Sequence, residues 1–160
     1  MITMDRLRAV LHYDPETGIF TWKQRLSNRV HIGDIAGALD HDQYVIIGID
    51  GVTYRAHRLA FLYMNGVMPS DCIDHINGEV GDNSWSNLRE AGDGINQENK
   101  RRPQSSSSTG LLGVVPKRGR FAAYIGVKKK SFYLGTFDTP EEAHERYLQE
   151  KRARHAGCTI

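Results

Sequence analysis

The sequence predicts an α+β protein: a β-rich N-terminal region that leads into a mixed central segment, followed by a small three-stranded antiparallel sheet packed on one helix. Three observations predict it. Asp50-Gly51 between two β-branched runs indicates a hairpin in the first third of the chain. Segments whose apolar residues recur at helical spacing alternate with the predicted strands. A serine-rich stretch at 104–110 precedes a second group of short strands that ends at a strong helix start.

The N-terminal third is predicted to be mainly β. Residues 4–13 have apolar residues at i, i+3 and i+4, which predicts a short amphipathic helix. A turn then leads to a strand at 19–22, and the hairpin strands are 44–49 and 52–56.

The central segment is predicted to alternate helix and strand. An apolar helix spans 57–65 and ends at Gly66. A strand at 72–75 and a brief strand at 87–89 flank a polar loop, and a helix follows from about 94 to 102. Asp93 is the expected N-cap of that helix, and Pro103 marks its end.

The C-terminal segment is predicted to contain strands at 112–116, 120–127 and 131–137. Thr139 is the expected N-cap of the following helix, and Glu142 completes a capping box. The predicted organisation is a β-rich N-terminal region with the mixed central segment at 1–103, a Ser-rich linker at 104–110 and a three-strand-plus-helix domain at 111–160. The 160 residues suffice for one ordinary domain or two small ones.

Charge and composition restrict the class of protein. Nine Lys or Arg and no acidic residue lie between Asn99 and Phe137, whereas the rest of the chain has 12 basic and 19 acidic residues. This asymmetry indicates a polyanionic partner, although a solvated basic face explains it equally well from charge alone. Two distant cysteines exclude a disulfide framework and a cysteine zinc cluster. Because the sequence has no long apolar run and no signal peptide, we expect the protein to lie in the cytoplasm and to have no membrane partner.

The polar stretch from Asp74 to Lys100 has the groups that phosphodiester hydrolysis requires. The Asp74 carboxylate and an amide oxygen of Asn96 suit hard Mg²⁺ or Mn²⁺. His75 has a reference pKa near neutrality and can take a proton from water. Asn87 is placed to hold the loop that presents His75, and Lys100 to offer charge to a phosphate.

Four motif blocks in this stretch resemble a known family: Asp74-His75-Ile76-Asn77-Gly78, Asp82-Asn83, Asn87-Leu88-Arg89 and Asn96-Gln97-Glu98-Asn99-Lys100-Arg101, preceded by Ala56-His57-Arg58-Leu59. They look like the HNH endonucleases of the ββα-metal class, in the subgroup of phage and intron-borne homing or nicking enzymes. The resemblance covers roughly residues 44–102, with its core at about 55–102.

The resemblance implies a role for each matching residue. Asp74 and Asn96 would bind the metal, His75 would be the general base, and Asn87 would be the structural asparagine of the catalytic motif. Asn99 matches a second helical asparagine. Supporting roles are expected for Asn99, Lys100 and His57, and a histidine placed like His57 is more often structural than a ligand.

The chain departs from the family pattern in two places. Residues 90–94 replace the usual apolar residues and Thr or Ser before the last helix. Asn96 stands where zinc-preferring relatives have histidine, which favours Mg²⁺ or Mn²⁺ over Zn²⁺.

Residues 110–148 resemble the DNA-binding domain of plant apetala-type ethylene-response factors, on Gly113-Val114, Phe121 to Ile125, Tyr133 to Thr139 and Glu141-Glu142-Ala143 with Tyr147. The resemblance implies that a three-stranded sheet lies in the major groove. Val115 and Gly126 stand where the plant domains have arginine, so base readout does not transfer. The expected DNA-binding residues are Arg101, Arg102, Lys117, Arg118, Arg120, Tyr124, Lys128, Lys130 and Tyr133.

The preferred interpretation is a metal-dependent endonuclease acting on double-stranded DNA by nicking or homing-type cleavage. In it, His75 activates water, and a metal on Asp74 and Asn96 stabilises the leaving oxygen. The alternative is a DNA-binding regulatory protein with an inactive HNH scaffold. A structural protein with an incidental basic face is a third hypothesis. The sequence leaves both a monomer and a homodimer open.

Overall fold

The computed structural model describes residues 2–92, 98–155 and 157–159. The chain forms two compact units, Met1–Ala91 and Gly92–Ile160. Their described elements are short helices and small sheets, which confirms the mixed α and β class. The functional division at 103 and 111 stays a prediction. None of the helices in the described ranges is long and apolar enough to cross a membrane.

The first unit begins with helix α1, Met4–Val10, which Thr3 caps by accepting a hydrogen bond from the Arg6 amide at 3.2 Å. Strand β1, Leu11–Tyr13, follows directly and pairs antiparallel with β2, Phe20–Trp22. The prediction of a helix over 4–13 is therefore wrong for its last three residues. The side chains at the two ends of β1 are buried, and pairing with β2 overrides the local helical spacing.

A second sheet has the strand order β3-β4-β5, formed by Ala38–Leu39, Val45–Ile49 and Val52–Arg55. Its β4–β5 turn is the predicted Asp50-Gly51 pair, with φ angles of 51° and 78°. Positive φ at both central residues matches the twist of a two-residue hairpin, so this prediction is confirmed.

Helix α2, Ala56–Asn65, ends at Gly66, whose φ of 80° gives the left-handed cap that glycine adopts without strain. Strand β6, Cys72–His75, pairs antiparallel with β7, Leu88–Ala91, and a 3₁₀ turn at Trp85–Asn87 precedes β7. The helix–strand–loop–strand order predicted for this region is confirmed.

Aromatic rings fill the core of the first unit. The Tyr13 ring centroid lies 4.7 Å from that of Phe20 and 5.7 Å from that of Tyr63 on α2. Leu88 of β7 and Ile73 of β6 belong to the same buried cluster. Strands β6 and β7 therefore pack into the same core as α1, α2, β1 and β2.

The predicted start of the helix at 94–102 lies outside the described ranges. Its expected N-cap Asp93 and the expected metal ligand Asn96 also lie outside them. Asn99 lies in a turn and residues 100–102 have no regular structure, so the predicted end at Arg102 is wrong. The Lys100 carbonyl accepts a hydrogen bond from Lys151 Nζ instead of a helical amide. The residue before Pro103 is also sterically disfavoured in a helix.

The second unit contains β8, Val114–Lys117, β9, Arg120–Val127, and β10, Lys130–Phe137, in one antiparallel sheet with β9 in the centre. Helix α3, Pro140–Arg154, follows. Its start has the predicted capping box, with Thr139 and Glu142 each accepting a bond from the other's backbone amide at 3.3 Å or less. Small side chains on β8, β9 and α3 share a buried cluster: Val114, Ala123 and Ala143.

The approach of Tyr147 to Gly113 gives a stability test for the second unit. A Cβ at Gly113, where φ is 73°, would lie 2.1 Å from Tyr147 Cδ2. We expect Gly113→Ala to lower the free energy of unfolding by about 3 kcal/mol, from the clash and the left-handed backbone together. Gly119→Ala is the control, because its φ is 80° but no described atom lies within 4 Å of the new Cβ. Urea unfolding of the full chain measures both, and equal losses would contradict the packing of Tyr147 on Gly113.

Candidate active site

The β6–β7 pair brings two ionisable residues of the predicted site into the protein interior. Asp74 lies opposite Arg89 across the strand pair, and His75, the last residue of β6, lies opposite Leu88. Asp74 and His75 are each only 4% exposed. A carboxylate this deep is costly unless a cation or hydrogen-bond donors compensate its charge.

Arg89 provides that compensation. Its Nε and Nη2 atoms lie 2.9 and 2.7 Å from Oδ2 of Asp74. Both are charge-assisted contacts, and they fix the carboxylate on its side of the strand pair. Arg89 belongs to the third motif block, but the motif predicts no site role for it. The signal that identifies it is the strand register, which sequence spacing alone does not reveal.

The His75 ring belongs to an aromatic group on the other side of β6. Its centroid lies 5.2 Å from that of His57 and 6.0 Å from that of Tyr44. Burial lowers the pKa of His75, against the opposing effects of its hydrogen bond to Oδ1 of Asn83 and the charges of Asp74 and Asp82. His75 is therefore a neutral imidazole at pH 7, the form that can accept a proton.

Asn87 holds both ends of the loop between β6 and the 3₁₀ turn. Its Oδ1 accepts a hydrogen bond from the Asn77 amide, and its Nδ2 donates to the Asp82 carbonyl, both at 2.8 Å. Its backbone carbonyl accepts from the Ile76 amide at 2.9 Å. The loop that follows His75 is thus closed by one buried amide side chain, while the catalytic assignment of Asn87 stays a prediction.

Asp82 and Asn83 complete the loop. The Asp82 carboxylate accepts bonds from Asn77 Nδ2 at 2.7 Å and Ser84 Oγ at 2.8 Å. Desolvation acts to raise the pKa of Asp82, but the bonds from Ser84 and Asn77 outweigh it and lower that pKa. Oδ1 of Asn83 lies 3.4 Å from Nε2 of His75. Asn83 is thus a contact of the predicted base that the sequence assigned no role.

Most of the residues described in this site lie in a segment that matches a protein-family model. Residues 54–97 match the family model described as HNH endonuclease, which covers just over a quarter of the chain. This part of the chain is similar to HNH endonucleases. This confirms the predicted enzyme class for residues 54–97, which we call the HNH segment.

A second comparison concerns solved structures. The chain is similar to the structure titled "DNA binding and cleavage by the HNH homing endonuclease I-HmuI", with 25% sequence identity and a TM-score of 0.43. The similarity covers 56% of this chain and 51% of that one, so the chain spans about half the length of that relative. A comparison with curated proteins gave no match.

The donor chemistry of the HNH segment fits a hard divalent cation. Asp74 supplies a carboxylate oxygen, and Mg²⁺ commonly binds through one or two carboxylates while it keeps several waters. Within residues 2–92, 98–155 and 157–159, no three or more His, Cys, Asp or Glu side chains form a metal-binding group.

The supporting residues Asn99 and Lys100 and the predicted DNA-binding residue Arg101 lie in the second unit. Thr159 Oγ1 donates to Oδ1 of Asn99 at 2.6 Å. Arg101 Nη2 in turn donates to the carbonyl of Thr159 at 3.2 Å. These contacts hold Asn99 and Arg101 against the residues that follow α3. The supporting role of Asn99, the phosphate contact of Lys100 and the DNA contact of Arg101 stay predictions.

The predicted DNA-binding residues lie on one unit, and all of them are exposed except Tyr124, which is half-buried. Lys117 Nζ lies 4.7 Å from the centroid of the Tyr133 ring, which lies 5.4 Å from that of Tyr124. Arg120 forms an exposed ion pair with Asp138 at 2.7 Å. The others lie in turns, at a strand end or in the irregular segment before Pro103: Arg118, Lys128, Lys130 and Arg102. We call Lys117, Tyr124 and Tyr133 the sheet-face group.

His57 of the HNH segment makes stability depend on pH. Its pKa is lowered to about 3, mainly by burial and then by the charge of a protonated His75 and of Arg55 and Arg58. The unfolded histidine binds a proton near pH 6.5, and the folded one does not until about pH 3. The neutral His57 ring therefore contributes its full stabilisation above pH 6.5, and this contribution is lost as the pH falls from 6.5 to about 3, by roughly 5 kcal/mol in all.

We expect His57→Gln to weaken that pH dependence. Urea unfolding at pH 7, 5 and 4 measures it, and the exposed His41→Gln is the matched control, since its contact with Asp42 lies on the surface. If the two variants have the same pH slope as the wild-type protein, His57 is not buried as a neutral ring.

Proposed function

We propose that the protein is a metal-dependent DNA endonuclease that hydrolyses phosphodiester bonds in double-stranded DNA. One observation carries this proposal: the HNH match at residues 54–97 includes a strand that ends in a buried Asp74-His75 pair. A family match alone would also fit a degenerate scaffold. The pair lies on an ordered strand, and Asn87 closes the loop that follows it.

His75 is the proposed general base. As a neutral imidazole it takes a proton from water, and the hydroxide attacks phosphorus in line with the leaving 3′ oxygen. His57 and Tyr44 pack against its ring and limit its motion. Activation of water at pH 7 requires a base that is neutral and held in position, and His75 meets both requirements.

Asp74 is the proposed ligand for Mg²⁺ or Mn²⁺, with Asn96 as the second ligand implied by the family resemblance. When bound, the cation would neutralise charge on the phosphate and on the leaving oxygen. Arg89 holds the Asp74 carboxylate in one orientation before any cation arrives. The low affinity of an amide for soft metals supports Mg²⁺ or Mn²⁺ over Zn²⁺.

The second unit is the proposed DNA-binding element, related to the apetala-type domain. The sheet-face group supports this, because the exposed Lys117 side chain lies over the exposed Tyr133 ring, which packs beside the half-buried Tyr124. The turn between β9 and β10 adds a second argument. Lys128 and Lys129 have φ angles of 47° and 63°, a conformation that glycine or asparagine adopts at lower cost. Two lysines at a strained turn fit a phosphate contact better than a purely structural role.

A single HNH segment cuts one strand at a time, so we propose nicking as the elementary reaction. Cutting both strands requires a second protomer or rebinding. Homing-type use of such a nick is the biological role that the resemblance favours.

One observation favours the alternative of a DNA-binding regulatory protein with an inactive scaffold. Arg89 neutralises Asp74, the proposed metal ligand, and a cation must compete with that ion pair for the carboxylate. The deciding experiment is incubation of supercoiled plasmid with the full chain and Mg²⁺ or Mn²⁺, beside an EDTA control. Metal-dependent appearance of nicked circles supports the nuclease. Intact supercoiled DNA under every metal, with DNA still bound, would establish the regulator.

A further inference from the structure

Asn83 faces His75 in a defined orientation. The residue is 2% exposed, and its Oδ1 lies 3.4 Å from Nε2 of His75. Its Nδ2 donates to the carbonyl of Gly81 at 3.1 Å. Because the NH₂ group is engaged there, the oxygen is the atom directed to the ring. An amide oxygen only accepts hydrogen bonds, so Nε2 is the nitrogen that carries the proton.

The distance is long for a hydrogen bond, but the backbone of Asn83 is held from a remote part of the sequence. Tyr13 Oη donates to the Asn83 carbonyl at 2.8 Å in the interior, across 70 positions of the chain. The Trp85 amide donates to the Pro15 carbonyl at 2.8 Å. Catalytic contacts of this length commonly shorten once the substrate is bound.

The backbone of Gly18 packs directly against the backbone of Asn83 and Ser84. An added Cβ would lie 2.2 Å from the Asn83 carbonyl carbon and 2.3 Å from the Ser84 amide nitrogen, so the two backbones touch. The φ of 72° at Gly18 also disfavours any side chain. The hairpin formed by β1, β2 and their turn, which we call the N-terminal hairpin, therefore supports the loop that presents Asn83.

We propose that Asn83 is a positioning residue for His75, and that Tyr13 and Gly18 of the N-terminal hairpin hold Asn83 in place. The inference deepens the proposed nuclease function and rests on it. Asn83 keeps the proton on Nε2, so Nδ1 carries the lone pair. An O–H bond of water breaks and its proton passes to Nδ1. The oxygen's electron pair forms the bond to phosphorus, and the bond from phosphorus to the 3′ oxygen breaks with its electron pair leaving on that oxygen.

The first test reads the tautomer directly, without DNA. Nitrogen-15 spectra of the histidine rings in the full chain at pH 8, assigned with His75→Gln, should show His75 protonated on Nε2 in the wild-type protein. Asn83→Ala should shift that ring toward a mixture of tautomers. Asn65→Ala, at the exposed end of α2, is the control and should leave the spectrum unchanged. A wild-type ring protonated on Nδ1, or one indifferent to Asn83→Ala, would overturn the proposal.

The second test measures cleavage at saturating DNA. We expect Asn83→Ala and Tyr13→Phe each to lower the single-turnover rate about tenfold or more with unchanged DNA affinity, because a wrongly oriented base loses part of its contribution. Tyr13→Phe keeps the ring that packs on Phe20 and removes only the donor to Asn83. Tyr54→Phe on β5 is its control. Wild-type rates for both test variants would contradict the positioning role.

The two tests separate this inference from the proposed function. If the wild-type protein does not cleave DNA with any metal, the nuclease proposal fails, and the tautomer spectra still decide whether Asn83 orients His75. If it cleaves and the spectra do not respond to Asn83→Ala, the nuclease stands and the positioning inference falls.

Discussion

His75→Ala is expected to lower the rate of metal-dependent DNA cleavage by about 10²-fold or more, with DNA affinity unchanged. The imidazole is the proposed acceptor of the proton from water, and it is neutral because burial lowers its pKa. The proposed DNA contacts lie on the second unit, so losing this ring should affect chemistry and not binding. Single-turnover cleavage of plasmid and a binding titration on the same preparation measure the two quantities.

The matched control for this variant is His41→Ala, since the His41 side chain is 89% exposed. It should cleave at the wild-type rate. Because His75 is buried against His57, the circular dichroism and unfolding midpoint of His75→Ala must also be compared with those of the wild-type protein. A well-folded His75→Ala protein that cleaves at the wild-type rate would exclude His75 as the base.

The second large effect concerns the sheet of the second unit. We expect the double variant Lys117→Ala, Lys130→Ala to reduce the slope of log affinity against log salt by about 2, one counterion for each lost phosphate contact. Affinity at physiological salt should fall about tenfold or more, while the metal requirement stays the same. Fluorescence anisotropy with duplex DNA at several salt concentrations gives the slope.

Arg152→Ala is the control for that experiment, because it removes a cation of the same unit from helix α3 instead of the sheet. Its salt slope should match that of the wild-type protein. If the control and the double variant lower the slope equally, binding depends on the overall charge of the unit and not on the sheet face.

Local chemistry explains which elements were predictable from the sequence. The hairpin at Asp50-Gly51, the helix end at Gly66 and the capping box of Thr139 and Glu142 each depend on a few neighbouring residues. The residues that adopt a positive φ or that cap a helix amide lie within a few positions of each other. The sequence pattern that predicts them is therefore found in neighbouring residues.

The predictions that were wrong concern segments whose structure depends on residues remote in sequence. Residues 11–13 have helical spacing but form a strand, because β2 offers them backbone partners. The helix expected to reach Arg102 stops earlier, in a segment where Lys151 and Thr159 contact residues 99–101. In both cases partners remote in sequence override local propensity.

The sequence by itself determined the residue types of the proposed site, Asp74, His75, Asn87 and Asn96, since a motif fixes identity and spacing. Only the tertiary structure decided that Arg89 pairs with Asp74 and that Tyr13 reaches Asn83. The physical reason is the same for both. The cost of burying a charge or an amide is met by whichever partner the folded backbone brings near, and that partner follows from strand register and packing.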